Sequence, residues 1–211
     1  MLEDTCSRYE WCGTLRSVVK EALGHDPVHG YPHVVRVAEL ALKISRLVGG
    51  VDEEVVLAAA LVHDIGRPLE TERGKHHAAI GAELAPEILR KAGFPEGKIP
   101  RVVEAVLAHS FSLGAEADSL EAKILSDADK LDAIGAVGVA RAFIEGDRRG
   151  RGFEGTLRHF EEKLLRLKDL MYTEPARRMA EERHRFMLAF LEEFLKETGL
   201  LGHFYSLRNS T

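Results

Sequence analysis

The run Val55–Val62 is apolar at all eight positions, and it constrains this 211-residue chain more than any other segment. Asp52 ahead of it has the character of an N-cap, and Glu53 and Glu54 supply the acidic first turn that a helix macrodipole favours. A helix that is apolar on every side belongs at the centre of a core. No longer apolar run occurs, and about 18 residues are needed to cross a bilayer, so no membrane span is expected. The run ends in His63-Asp64, followed by Gly66 and Pro68. Burying an ionised carboxylate there without a partner costs several kcal/mol, so Asp64 must be protonated, paired with a cation or bound to a metal.

Helical periodicity governs most of the remaining chain, and no run of alternating β-branched residues interrupts it, so the fold class is all-α. From Pro32 to Gly49-Gly50, Val34, Val37, Ala38, Ala41, Ile44 and Val48 recur at helical steps. Further helices are expected near 77–91, 100–110, 119–145, 156–171 and 174–197, with Thr156 and Thr173 capping the last two. Pro86 predicts a kink or break in the first of these. The Gly-rich stretch 146–155, with Arg148, Arg149 and Arg151, reads as a mobile basic loop. At this length, with no repeat and no linker, a single compact bundle over residues 1–211 is expected.

A second polar intrusion lies in SLEAKILSDADKLDAIGAVGVAR, where Asp127, Asp129 and Asp132 break an apolar stripe. Three acids so close repel unless some face water or a cation. His33 opens the amphipathic helix that begins at Pro32. Any one of these has a structural explanation as a cap, a backbone partner or a solvated face. Together, two imidazoles and two carboxylates from separate helices make an N/O donor set suited to a divalent metal.

His33, the His63-Asp64 doublet and the aspartates of DADKLD resemble the H…HD…D pattern of the HD-domain metal-dependent phosphohydrolase superfamily. The likeness extends to HDIG and DADKLDAIGAVGVAR and covers roughly residues 25–145. HFEEKLLRL and ARRMAEERHRFM, in the extension of about 156–197, resemble small stand-alone bacterial and archaeal members. The resemblance, and not spacing, makes Asp129 the fourth ligand beside His33, His63 and Asp64. It implies a helical bundle holding Mn, Mg, Fe or Co and hydrolysing a nucleoside mono- or triphosphate, deoxynucleotides included, at a phosphoester or phosphoanhydride bond. Metal-activated water would attack phosphorus. Alternatives on the same scaffold are a di-iron oxygenase and a non-catalytic nucleotide sensor.

Around those ligands, Arg36 and Lys130 are expected to hold phosphate oxygens. The resemblance makes His77 and His109 candidates for a second metal or for contacts behind the first, and His29, with Asp26, a candidate to orient His33 or phosphate. Gly30-Tyr31-Pro32 precedes the HD doublet, unlike the tripeptide of the cyclic-dinucleotide phosphodiesterase branch, and is read as chance. The Arg-rich stretch and Lys163 are within conceivable reach of a polyphosphate tail or base. A net charge of −5 argues against a duplex nucleic-acid partner. Cys6 and Cys12 fit neither a CxxC motif nor a zinc finger and read as free thiols. The N-terminus lacks the apolar core of a secretory signal, so a cytoplasmic location is expected and Asn209-Ser210-Thr211 is a chance glycosylation match. Phe190 and Phe194, read as exposed, suggest a homodimer. The absence of Gln and the single Asn hint at a hot environment.

Overall fold

The helix begun at Asp52 runs from Glu53 to Val62 (α4), and every side chain from Val55 to Val62 is fully buried. Asp52 caps it, accepting from the Val55 amide. Each buried Val or Leu contributes about 1.5–3 kcal/mol relative to exposure, which fixes this short helix as the axis of the molecule. Tyr31–Val48 (α3), Ile99–Ala108 (α7) and Leu120–Asp132 (α8) surround it. His77–Ala92 (α6) packs along the outer side of α7. This computed structural model describes residues 1–110 and 117–200, and among them no strand occurs. Asn209-Ser210-Thr211 lie outside the described residues.

Two N-terminal helices, Leu2–Cys6 (α1) and Glu10–Leu23 (α2), precede this core, and Glu70–Arg73 (α5) is a single turn between α4 and α6. Gly135–Arg148 (α9), Gly152–Glu162 (α10) and Glu174–Thr198 (α11) form a second layer docked on α8 and α3 through α11. Trp11, Leu15, Val19 and Leu23 recur at four-residue steps on α2, a period that was open to reading from the sequence. None of the described helices is long and apolar enough to cross a membrane.

The chain departs from the expected elements in several places. The helix expected over 119–145 is two, because the chain turns at Ala133-Ile134 and Gly135 adopts φ 79°, a left-handed conformation that L side chains resist. A Cβ there would also press on Arg183 at 2.9 Å. Pro86 leaves α6 continuous. Ile80, Ala85 and Leu89 are buried on both sides of it, and that packing carries the helix past one lost hydrogen bond. The basic loop shrinks to residues 149–151. Arg148 ends α9 and pairs with Asp26, and Arg149 pairs with Glu145. Thr156 is no cap, since α10 has already begun at Gly152 and the Thr156 hydroxyl donates back to that carbonyl. Residues 164–170 form a 3₁₀ turn, while Thr173 does cap α11. Phe190 and Phe194 are half-buried in a cluster with Phe143 and Phe153, so they are not the bare apolar face expected. Cys6 and Cys12 form a disulfide, because the turn between α1 and α2 brings their Cα atoms to 5.4 Å.

Candidate active site

His63 and Asp64 emerge where α4 ends, at the centre of the core, and both are fully buried. The Nδ1–H of His63 donates to the Ala60 carbonyl at 2.8 Å, which leaves Nε2 as the free lone pair. His109, at the end of α7, repeats the device with Val106 at 2.6 Å. His33 donates Nδ1–H to Asp132 at 2.7 Å, and His77, opening α6, donates Nδ1–H to Glu70 at 2.8 Å. Four imidazoles are thus each held at Nδ1 by an oxygen acceptor, and each presents Nε2 to Asp64. Imidazoles that ligate metals are oriented in this way by an acceptor behind them.

The Asp64 carboxylate divides these nitrogens into two groups. His33 Nε2 lies 3.4 Å and His63 Nε2 3.7 Å from Oδ2, while His77 and His109 lie 3.4 and 3.8 Å from Oδ1. Asp129 Oδ1 approaches the first group from the side, 3.4 Å from His33 Nε2. Its side chain is 26% exposed, where those of His33 and Asp64 are fully buried, so Asp129 marks the cavity side of the cluster. Of the four residues expected as ligands, His33, His63 and Asp64 bring donor atoms mutually close, Asp129 meets them only through His33, and His77 and His109 converge on the other oxygen of Asp64. His29 does not, lying on the cavity wall with its ring 6.4 Å from that of His33.

Electrostatics sharpens the picture. Burial opposes a charge on His33, yet Asp129, Asp132 and Asp64 outweigh it and raise its pKa to about 10. Burial penalises the Asp64 carboxylate too, but His63, Arg67 and His33 hold it well below the usual range. Burial lowers His77 and His109 to about 4, so both are neutral near pH 7. His33 and His63 face each other through Nε2 at 3.3 Å, an approach that needs a proton or cation to relieve lone-pair repulsion. Asp64 Oδ1 and His109 Nε2 are buried without any hydrogen-bond partner. Orphaned acceptors of this kind, beside two imidazole Nε2 atoms that can meet only with a proton or a cation between them, fit a divalent cation. His33, His63 and Asp64 form one group of mutually close donor atoms, and Asp64, His77 and His109 form another. Glu70, His76 and His77 form a third, in which neither Glu70 nor His76 was singled out by sequence.

The three aspartates of α8 take separate tasks. At about 100° per residue, Asp129 and Asp132 share a face while Asp127 points away. Asp127 accepts from the amides of Tyr172 and Thr173 and from the Thr173 hydroxyl, tying down the start of α11. Asp132 holds His33, Arg36 and Arg141. Arg36 is therefore spent on Asp132 and does not line the cavity. Lys130 does line it, donating to Ser126 Oγ at 2.7 Å with its ammonium 4.7 Å from the Tyr172 ring centre. Arg67, paired with Asp64, and Arg141 are cavity cations that sequence reading missed. Arg67 stands one helical turn after Asp64, a spacing that was available as a signal. Gly66 lets this turn close on α6, since a Cβ there would overlap the His77 carbonyl and lie 2.7 Å from the Gly81 amide. The cavity itself measures about 460 Å³, within the range typical of small-molecule sites.

The fold is an all-α bundle with buried imidazoles and carboxylates gathered around one aspartate, able to hold a metal ion and opening onto a cation-lined cavity, and it has the architecture of HD-superfamily proteins. The HD domain family model matches residues 30–134. YpgQ of Bacillus subtilis, an uncharacterized protein, is 39% identical over 185 residues, covering 84% of this chain and 86% of its own. The chain belongs to the HD-domain family. The crystal structure of Bacillus subtilis YpgQ in complex with ADP superposes with a TM-score of 0.73 at 33% identity, covering 93% of this chain and 97% of that one. A predicted HD superfamily hydrolase from an uncultured Thermotogales bacterium gives 0.72 at 34% identity, covering 93% and 98%.

Proposed function

We propose that this chain is a metal-dependent phosphohydrolase acting on a nucleotide, with His33, His63, Asp64 and Asp129 as ligands of a divalent cation. The observation that carries the reading is the convergence of Nε2 atoms and carboxylate oxygens on a fully buried Asp64 whose Oδ1 has no partner of its own. His77 and His109 complete a second donor group on that oxygen and are the residues to hold a second ion. The ADP bound in YpgQ supports a nucleotide as the ligand.

When bound, a cation of the Mn, Mg, Fe or Co type supplies Lewis-acid polarisation of a phosphoryl oxygen and acidification of a water. The chain does the rest. Asp132 and the Ala60 carbonyl fix His33 and His63 in the tautomer that exposes Nε2. Lys130 presents the buried ammonium that faces a phosphoryl oxygen in the cavity and offsets its growing negative charge. Arg67 orients Asp64 by pairing with Oδ2.

Asp64→Ala is expected to abolish both metal retention, read by elemental analysis, and release of phosphate or pyrophosphate from a nucleotide panel, while far-UV circular dichroism stays near wild type. Full activity in that variant would refute the assignment. Oxygen-dependent turnover with two irons per chain would favour the oxygenase alternative instead.

A further inference from the structure

The cavity has an outer end that this chemistry does not use. Arg149 and Arg151 in the turn after α9, His159 on α10 and Lys163 at its end all line the same cavity as Asp129 and Lys130. The whole chain carries a net charge of −5, so this local excess of cations is not an average property of the surface. Arg149 meets Glu145 through one guanidinium nitrogen and keeps its other donors, and its side chain is 58% exposed. Among the described residues, Arg151 and Lys163 have no side-chain ion pair. His159 is half-buried and lowered, first by burial and then by Arg151, Lys163 and Arg149, so three cations converge on one ring. The turn that carries the arginines is anchored. Arg148 reaches across to Asp26 at 2.6 Å, and the Arg151 amide donates to the Gly146 carbonyl at 2.9 Å. Glu145 on the same wall pairs with Arg149 and Arg148 but not with Arg151 or Lys163, and like charges held side by side with one counter-charge among them favour an anion between them.

We infer that this rim is a second anion subsite, in which Arg151, Lys163 and Arg149 take the distal phosphates of a nucleoside polyphosphate whose reacting phosphoryl group lies at the Asp64 donor cluster. The inference rests on the phosphohydrolase reading above and narrows it, because a monophosphate at the cluster leaves the rim unfilled and forgoes its charge-assisted hydrogen bonds.

The test begins with the 211-residue chain in chelator, titrated calorimetrically with inorganic tripolyphosphate, so that the donor cluster makes no metal-mediated contact. Wild type is expected to bind, and Arg151→Ala with Lys163→Ala to weaken binding at least about tenfold. Arg185→Ala, which removes one positive charge at an exposed position of α11, is expected to stay within about twofold. Unchanged binding in the double variant overturns the subsite, as does equal weakening by Arg185→Ala. With metal restored, the double variant should raise KM for a nucleoside triphosphate about tenfold or more and that for the monophosphate far less. An equal rise for both also overturns it. If no nucleotide is turned over with any metal while the double variant still loses tripolyphosphate, the hydrolase reading falls and the anion subsite stands.

Discussion

Asp132 shows how much of this site depends on a residue that never faces the cavity. Its carboxylate accepts from His33 Nδ1 and from the guanidinium groups of Arg36 and Arg141, all while 1% exposed. Asp132→Asn keeps the size and an acceptor oxygen but removes the charge that sets His33's orientation and basicity. Metal affinity, measured by chelator competition, should fall about 10- to 100-fold, with helical content retained; unaltered affinity would show that His33 needs no such support. At this scale the sequence was informative about type and silent about direction. His63, Asp64 and His33 stood out because polar residues interrupted apolar helices. Arg36 looked equally eligible, and only its pairing with Asp132 removes it from the cavity, because a long side chain can reach several partners from one backbone position.

Among the elements, α8 couples the two layers. Asp127 holds the Tyr172 and Thr173 amides at 2.8 Å each and the Thr173 hydroxyl at 2.7 Å, which seats α11 and brings Tyr172 onto Lys130. Asp127→Ala leaves buried donors unpaired and should cost about 2–4 kcal/mol in urea unfolding, lowering the transition for the whole chain; a cost below about 1 kcal/mol would mean that α11 is seated by packing alone. The existence of most helices was legible from period and caps, as with Asp52 and Thr173. Their limits were less so. The break at Gly135 depended on which glycine adopts positive φ, and the survival of α6 through Pro86 on burial of its flanking residues against α7. Neither is written in local spacing.

Across the whole molecule, the buried histidines make stability depend on pH in a defined sense. His29, His77 and His109 are lowered to about 4, chiefly by burial, so on unfolding each takes up a proton near its ordinary value of 6.5. Between pH 6.5 and 4 the unfolded chain binds more protons, and stability falls as pH falls, by at most about 1.4 kcal/mol per pH unit per group. His33, raised to about 10, acts oppositely: its contribution is complete below 6.5 and is lost as pH rises through 10. Asp64, Asp129 and Asp132, all lowered, stay ionised throughout this window. Three lowered histidines against one raised place the highest urea midpoint of metal-free protein near pH 7, with a decline on both sides; a flat profile from pH 4 to 9 would contradict the burial of these groups as neutral imidazoles. By itself the sequence determined the all-α class, the burial of Val55–Val62 and the residue types of the donor set, because periodicity and the cost of burying charge act locally and are legible in a linear string. Only the tertiary structure decided that Asp64 faces four imidazoles at once, that Asp129 opens on the cavity while Asp127 and Asp132 do not, and that Cys6 meets Cys12. Those facts depend on how separate helices are rotated and brought together, and that rotation is set by packing of the whole core.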